Sequence, residues 1–279
     1  MSNRIGFMQG RLSPLVNGRI QAFPWDCWQD EFASAKRHSF QLMEWTLDQE
    51  RLYENPLLTP AGQAEILQLR AQFGIAIGSL TGDCFMQSPF WKAEGSIYKQ
   101  LLEDFRAVAK ACSAVGIRMM VLPLVDNGSL TSRAQEDVLI TVLENESVML
   151  TELGVQVVFE SDFEPLELAR FIDRLDPALF GVNYDIGNSA GLGMRPAEEI
   201  AAYGKRIVNV HIKDRVLGGT TVPLGTGNAD FETVFTELAH ISYSGNYILQ
   251  TARAKDDNHA GVLCRYRDMV TDWIAQYGA

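Results

Sequence analysis

Basic residues are scarce in this 279-residue sequence: 24 Lys and Arg stand against 35 Asp and Glu, a formal net charge of -11. A surface of that sign repels polyphosphate backbones unless a local basic patch offsets it. The densest basic stretch, Arg253 and Lys255 followed by Arg265 and Arg267, is broken by Asp256 and Asp257, so no nucleic-acid partner is expected. No apolar run approaches the roughly 20 residues of a membrane span, which speaks against a membrane protein. The N-terminus lacks the apolar core of a secretory signal. Cysteine is sparse as well. Cys27, Cys84, Cys112 and Cys264 form no CxxC pair, and the expectation is reduced, buried thiols in a cytoplasmic protein.

What is present is ordinary soluble material, 47% hydrophobic and 21% charged, which argues against disorder. A folded monomer of this size keeps roughly 12,000 Å² exposed of roughly 45,000 Å² in the unfolded chain, so a large core is available. Short β-rich runs recur at residues 5–8, 41–45, 75–80, 118–124, 155–160, 180–185, 207–212 and 246–250. Between them, apolar residues at three- and four-residue spacing predict helices over 61–73, 97–115, 134–153, 166–175 and 231–241. Thr59-Pro60, Pro165 and Pro196 mark helix starts, while Gly74, Gly116 and Gly154 stand where helices should end before a buried strand. Eight strand–helix units without a Pro/Ser-rich linker predict one (β/α)8 TIM barrel, a single domain over residues 1–279. An open dinucleotide-binding sheet would need GxGxxG after the first strand, and none is there.

Alternate residues of a strand face opposite sides. The mainly apolar sets can pack under the helices. The other sets end in Glu160, Asp185, His211 and Gln250 on the fifth to eighth strands, converging where barrels of this kind place their active sites. Two carboxylates, an imidazole and an amide oxygen suit Mn²⁺, Mg²⁺, Co²⁺ or Zn²⁺. A divalent cation would remove the repulsion between the two acids. The alternative needs no metal: His211 takes protons from both carboxylates in a self-satisfied network.

The residues resemble the xylose isomerase-like barrels, a family that includes sugar-phosphate isomerases and ketose 3-epimerases. The resemblance rests on Met8-Gln9-Gly10-Arg11-Leu12, Met43-Glu44-Trp45, Phe159-Glu160, Tyr184-Asp185-Ile186-Gly187-Asn188, Val210-His211-Ile212-Lys213-Asp214-Arg215, and the run from Pro223 to Phe231. It covers nearly the whole chain and implies a divalent metal held by the strand-five Glu, strand-six Asp, strand-seven His and a strand-eight acid. It implies, too, that Glu160 removes an α-proton to give a metal-stabilised enediolate. The eighth strand departs from this pattern, because Gln250 stands where the second glutamate is expected. An amide oxygen can ligate a metal but cannot exchange a proton at accessible pH. Asn188 replaces a histidine found in some members. Lys213 or Glu44 is then a candidate for the missing acid.

The expected activity is isomerisation or epimerisation of a small keto- or aldo-sugar or a derivative. Alternatives are a metal-dependent dehydratase of a polyol ketone and a sugar-binding protein that has lost turnover. An apurinic-site endonuclease shares the barrel, but four histidines, three of them away from strand ends, do not build its three-zinc cluster. Arg11 and Arg215 are candidates for substrate binding or for surface ion pairs, and Glu44 for a substrate contact or a partner of the ligands. The glycines of 218–219 and 225–227 offer a phosphate cradle or a turn-rich lid. Trp25, Trp28 and Trp91 are expected to pack rather than stack on sugar; Asp83 and Asp126 follow the third and fourth strands as further mouth residues. Dimers or tetramers are compatible with the resemblance and with loop aromatics such as Trp91.

Overall fold

Helix and strand boundaries follow from local chemistry. In the computed structural model, which describes residues 4–278, the Thr59 hydroxyl accepts from Gly62 N and Ser132 from Gln135 N, each satisfying a backbone donor at a helix start. Gly74, Gly116 and Gly154 adopt φ of 69°, 78° and 61°, the left-handed conformation that ends a helix and turns the chain into the next strand.

Eight strands close into a parallel barrel: β1 (Ile5–Met8), β2 (Leu42–Thr46), β3 (Ala76–Thr81), β4 (Met119–Leu124), β5 (Gln156–Ser161), β6 (Phe180–Asp185), β7 (Ile207–Ile212) and β10 (Asn246–Leu249). Around the ring the order is β1-β10-β7-β6-β5-β4-β3-β2. Two short strands, β8 (Asp214–Arg215) and β9 (Thr221–Val222), form an antiparallel hairpin over the mouth between β7 and the following helix. All eight strand runs expected from the sequence are present, within one or two residues at each end.

The helices are α1 (Asp30–Arg37), α2 (Pro60–Phe73), α3 (Asp83–Gln87), α4 (Gly95–Val115), α5 (Arg133–Leu153), α6 (Pro165–Ile172), α7 (Ile186–Leu192), α8 (Pro196–Tyr203), α9 (Phe231–His240) and α10 (His259–Tyr277). The five periodic segments correspond to α2, α4, α5, α6 and α9. Outward-facing strand residues meet the helices through large apolar groups. Phe159 packs edge-on against Phe171 at 5.2 Å, and Tyr247 stacks on Phe235 at 5.5 Å. Trp28 and Trp91 belong to the same core, and the Trp91 indole donates to Gly128 O, so Trp91 is not an exposed interface aromatic. Trp25 is half-buried beneath the Arg51 guanidinium. Of the cysteines, Cys84 and Cys112 are buried, but Cys27 and Cys264 are only half-buried, and all four are free thiols. Among the described residues no helix is long and apolar enough to cross a membrane.

Register sets the site. Asp185 pairs directly with His211, and His211 with Ile248 on the other side, while Glu160 lies beside Pro123 at the end of β5. Inward-facing polar residues are therefore carried to one height.

Candidate active site

Glu160, Asp185 and His211 each offer one ligand atom, and these atoms lie within 4.8 Å of one another. All three side chains are buried. His211 is held from both ends: Nε2 lies 2.8 Å from Glu44 Oε1, and Nδ1 lies 3.2 Å from Glu160 Oε2 and 3.9 Å from Asp185 Oδ2. The Asn183 amide donates to Glu160 Oε2 at 3.1 Å and sits 3.1 Å from His211 Nδ1, and a deprotonated Nδ1 would present its lone pair toward the two carboxylates. A neutral ring in that state would keep its proton on Nε2, directed at Glu44 Oε1. A lone pair and two carboxylates facing one point are the donor set of a divalent cation, and the fit is good. Proton and cation compete for Nδ1. Burial alone would depress the imidazole pKa, but the Glu44 charge and hydrogen bonds to Glu160 and Glu44 outweigh it and hold it up at about 10.

Glu44, expected at the mouth or beside the ligands, takes the second position. It is fully buried and accepts from Ser79 Oγ at 2.5 Å, from Thr81 Oγ1, and from Asn209 Nδ2 at 3.1 Å. Burial favours its neutral form, but the His211 charge and these hydrogen bonds bring its pKa below the ordinary carboxylate value.

Lys213 reaches the site from the residue after β7. Its Nζ lies 3.1 Å from Asp185 Oδ2, 3.0 Å from Asn188 Oδ1 and 3.2 Å from Gln250 Oε1. The Gln250 oxygen therefore already accepts from an ammonium, and its amide donates to Gln21 Oε1 at 3.0 Å. Asn188 donates to Glu160 Oε1 at 2.5 Å and accepts from Arg215 at 2.9 Å. Arg215 also donates twice to Gly219 O, tying the hairpin to the site. These residues line a cavity of ≈ 430 Å³ with Glu160, Gln21, Asp83 and Asp126.

Arg11 departs from both expectations. It is 3% exposed and lies outside the cavity lining, donating instead to the carbonyls of Thr251 and Ile20. A buried guanidinium beside strand ends satisfies loop carbonyls that have no ladder partner. Burial, and the Arg253 charge after it, draw its pKa down to about 9. The glycine-rich segment also resolves to one of its two readings. Asp214, 1% exposed, accepts from the backbone N–H of Gly225, Gly227 and Ala229, so those donors are already used by a carboxylate.

Asn183, Asn209 and Gln21 were not singled out from the sequence. The two asparagines share inward parity with Asp185 and His211, which was the available signal. Gln21 lies in an irregular loop, where no periodicity marks it.

Comparison with known proteins accords with this picture. Residues 32–264 match the family described as xylose isomerase-like TIM barrel. The L-ribulose-5-phosphate 3-epimerase UlaE of Salmonella paratyphi A is 25% identical over 267 residues, spanning 91% of this chain and 92% of that protein. Its counterpart from Escherichia coli O157:H7 is 26% identical over the same shares. In three dimensions the D-allulose 3-epimerase of Methylomonas sp., solved with D-allulose, superposes with a TM-score of 0.73 at 16% identity, over 95% of this chain and 96% of that one. The E. coli 3-keto-D-glucoside 4-epimerase YcjR gives 0.68 at 17% identity, over 98% and 99%.

Proposed function

The chain belongs to the xylose isomerase-like TIM barrel family, and from that premise we propose that it is a divalent-metal-dependent sugar isomerase or epimerase. The observation that carries this reading is the buried Glu160–Asp185–His211 triad at the cavity, with His211 Nδ1 facing both carboxylates. Glu160, Asp185 and His211 would hold the cation, with Gln250 Oε1 as a fourth ligand where Lys213 releases it. A cation there supplies Lewis-acid stabilisation of the negative charge that develops on a carbonyl oxygen when the α-proton leaves.

The chain's own groups do the rest. Asn183 and Asn188 each donate to one oxygen of Glu160, fixing the carboxylate that takes the α-proton. Lys213, held by Asp185 and Asn188, would turn the donor it releases from Gln250 toward substrate oxygens beside the reacting carbons. Arg215 ties the hairpin to Asn188 beside them.

The cavity supports an uncharged sugar. Its lining carries Asp48, Asp83, Asp126, Glu160 and Asp162 against Arg19, Lys213 and Arg215. Lys213 and Arg215 are engaged by the side chains and carbonyls named above, and Asp214 occupies the glycine-loop donors. A phosphate would add up to two negative charges beside these acids, whose excess over the bases a divalent cation would only just offset.

Hydrogen exchange tests the activity. Wild-type protein with Mn²⁺ and a free ketose in D₂O should incorporate deuterium next to the carbonyl, and Glu160→Gln should lose this by about a hundredfold or more. Absence of exchange across free and phosphorylated ketoses would leave a sugar-binding protein in place of an enzyme.

A further inference from the structure

We propose that Asp83 is the second proton carrier of this site, acting from the arc of the mouth that carries Gln250 and Gln21. The inference rests on the enolisation reading above and supplies the group that Gln250 cannot be. Inversion at a carbon requires proton removal from one face of the planar intermediate and delivery to the other. A primary amide carries no proton to give at accessible pH.

The barrel order separates two sets of residues. Glu160, Asp185 and His211 rise from the adjacent strands β5, β6 and β7. The remaining polar arc follows β10, β1 and β3; β1 stands opposite β5 in the ring, and β3, which Asp83 follows, stands opposite β7. Along that arc Gln250 Nε2 donates to Gln21 Oε1 at 3.0 Å, and Gln21 Nε2 donates to Asp83 Oδ2 at 2.6 Å. Gln21 thus locks Asp83 to the site through two amide contacts. Asp83 opens α3 directly after β3, is 8% exposed, and lines the same cavity as Glu160. Gln21 is its one side-chain partner among the described residues, which leaves Oδ1 without a protein donor.

The charge environment suits the task. Facing Asp83 are Asp48 after β2, Glu160 on β5, Lys213 after β7, Arg11 after β1 and the neighbouring Cys84 thiol. Burial, reinforced by Asp48 and Glu160, pushes the Asp83 carboxyl up to about 7 against the opposing pull of Gln21 and Lys213. A carboxyl near neutrality exists in both protonation states at working pH.

The proton balance closes without a further reactant. Glu160 takes the α-proton, and the C–H electron pair passes into the enediolate. Asp83 gives its proton to the opposite face of the same carbon, re-forming C–H and regenerating the carbonyl. Glu160 then loses its proton to solvent and Asp83 regains one, so the product is the epimer.

The test separates exchange from inversion. Wild-type protein and Asp83→Asn are incubated with Mn²⁺ in D₂O with D-tagatose, D-fructose, L-ribulose or L-ribulose 5-phosphate. Deuterium in recovered substrate and the yield of the epimer are read by NMR. The amide oxygen of Asp83→Asn still accepts from Gln21, so the local contact survives. The expected result is exchange within about threefold of wild type, with inversion down about a hundredfold or more. Inversion that persists within about threefold, or exchange and inversion that fall together, overturns the assignment to Asp83 alone. No exchange by the wild type on any of the four sugars removes the enolisation reading and this inference with it.

Discussion

Nε2 of His211 lies 2.8 Å from Oε1 of Glu44, and neither side chain has any exposed surface. The contact joins β7 to β2 across the barrel interior and fixes which ring nitrogen, Nδ1, faces Glu160 and Asp185. A carboxylate on one nitrogen raises the basicity of the other, so Glu44 would strengthen His211 as a ligand of the proposed cation without touching it.

Replacing Glu44 with Gln should therefore weaken Mn²⁺ binding by about tenfold to a hundredfold, read by titration calorimetry. Affinity equal to wild type would mean that Glu44 serves packing only.

Gly187 shows why a small residue stands beside the site. A Cβ there would lie 2.5 Å from Lys213 Cγ and 2.9 Å from its carbonyl carbon. Gly187→Ala should displace Lys213 from Asp185 and Gln250 and cost about 1–3 kcal/mol in urea unfolding. Turnover should fall as the ammonium leaves its three partners; full stability with full turnover would count against this placement of Lys213.

Asp214→Ala removes the acceptor for three backbone N–H groups at once. Each buried donor left unpaired costs about 1–3 kcal/mol, tempered here by access to water in the loop. Hydrogen–deuterium exchange over residues 225–229 should accelerate selectively, while exchange in β5 and β6 stays slow. Uniform acceleration would indicate general destabilisation instead.

Glu31 gives the pH dependence a direction. It is 1% exposed and accepts from the backbone N–H of Gly10 and Leu12, yet burial outweighs these contacts and raises its carboxyl from 4.5 to about 7. A folded-state value above the unfolded one means that its favourable contribution is complete below about pH 4.5. That contribution is lost as pH rises through about 7. Wild type should lose about 2 to 3 kcal/mol relative to Glu31→Gln between pH 4.5 and 8, measured by chemical denaturation at each pH. Parallel profiles for the two proteins would remove Glu31 as the cause.

The barrel was legible in the sequence because its signals are local. Strand parity brought Glu160, Asp185 and His211 together, and glycines 74, 116 and 154 marked helix ends by a conformational need that only a few residues meet. Arg11 was misread for a different reason. A basic residue just past a strand looks the same whether it faces substrate or buries itself under loop carbonyls, and the deciding partners, Thr251 and Ile20, come from different parts of the chain. The glycine loop was ambiguous until Asp214, eleven residues before Gly225, was seen to hold it. Gln21 and Asp83 meet through loop geometry, for which the sequence carries no period.

The seam where the barrel closes has a consequence for how the chain folds. β1 pairs with β2 on one side and with β10 on the other, and Arg4 donates to Gly245 O across 241 positions of sequence. During synthesis β1 gains its first neighbour early, but its second edge stays open until nearly the whole chain has emerged. Such distant closure is slow because loop entropy must be overcome before any contact forms. The waiting edge is Ile5-Gly6-Phe7-Met8, without a charged side chain to discourage pairing with another molecule. Dependence on chaperones, and loss to aggregation on refolding, should accordingly centre on this first strand, far from the chemistry it eventually supports.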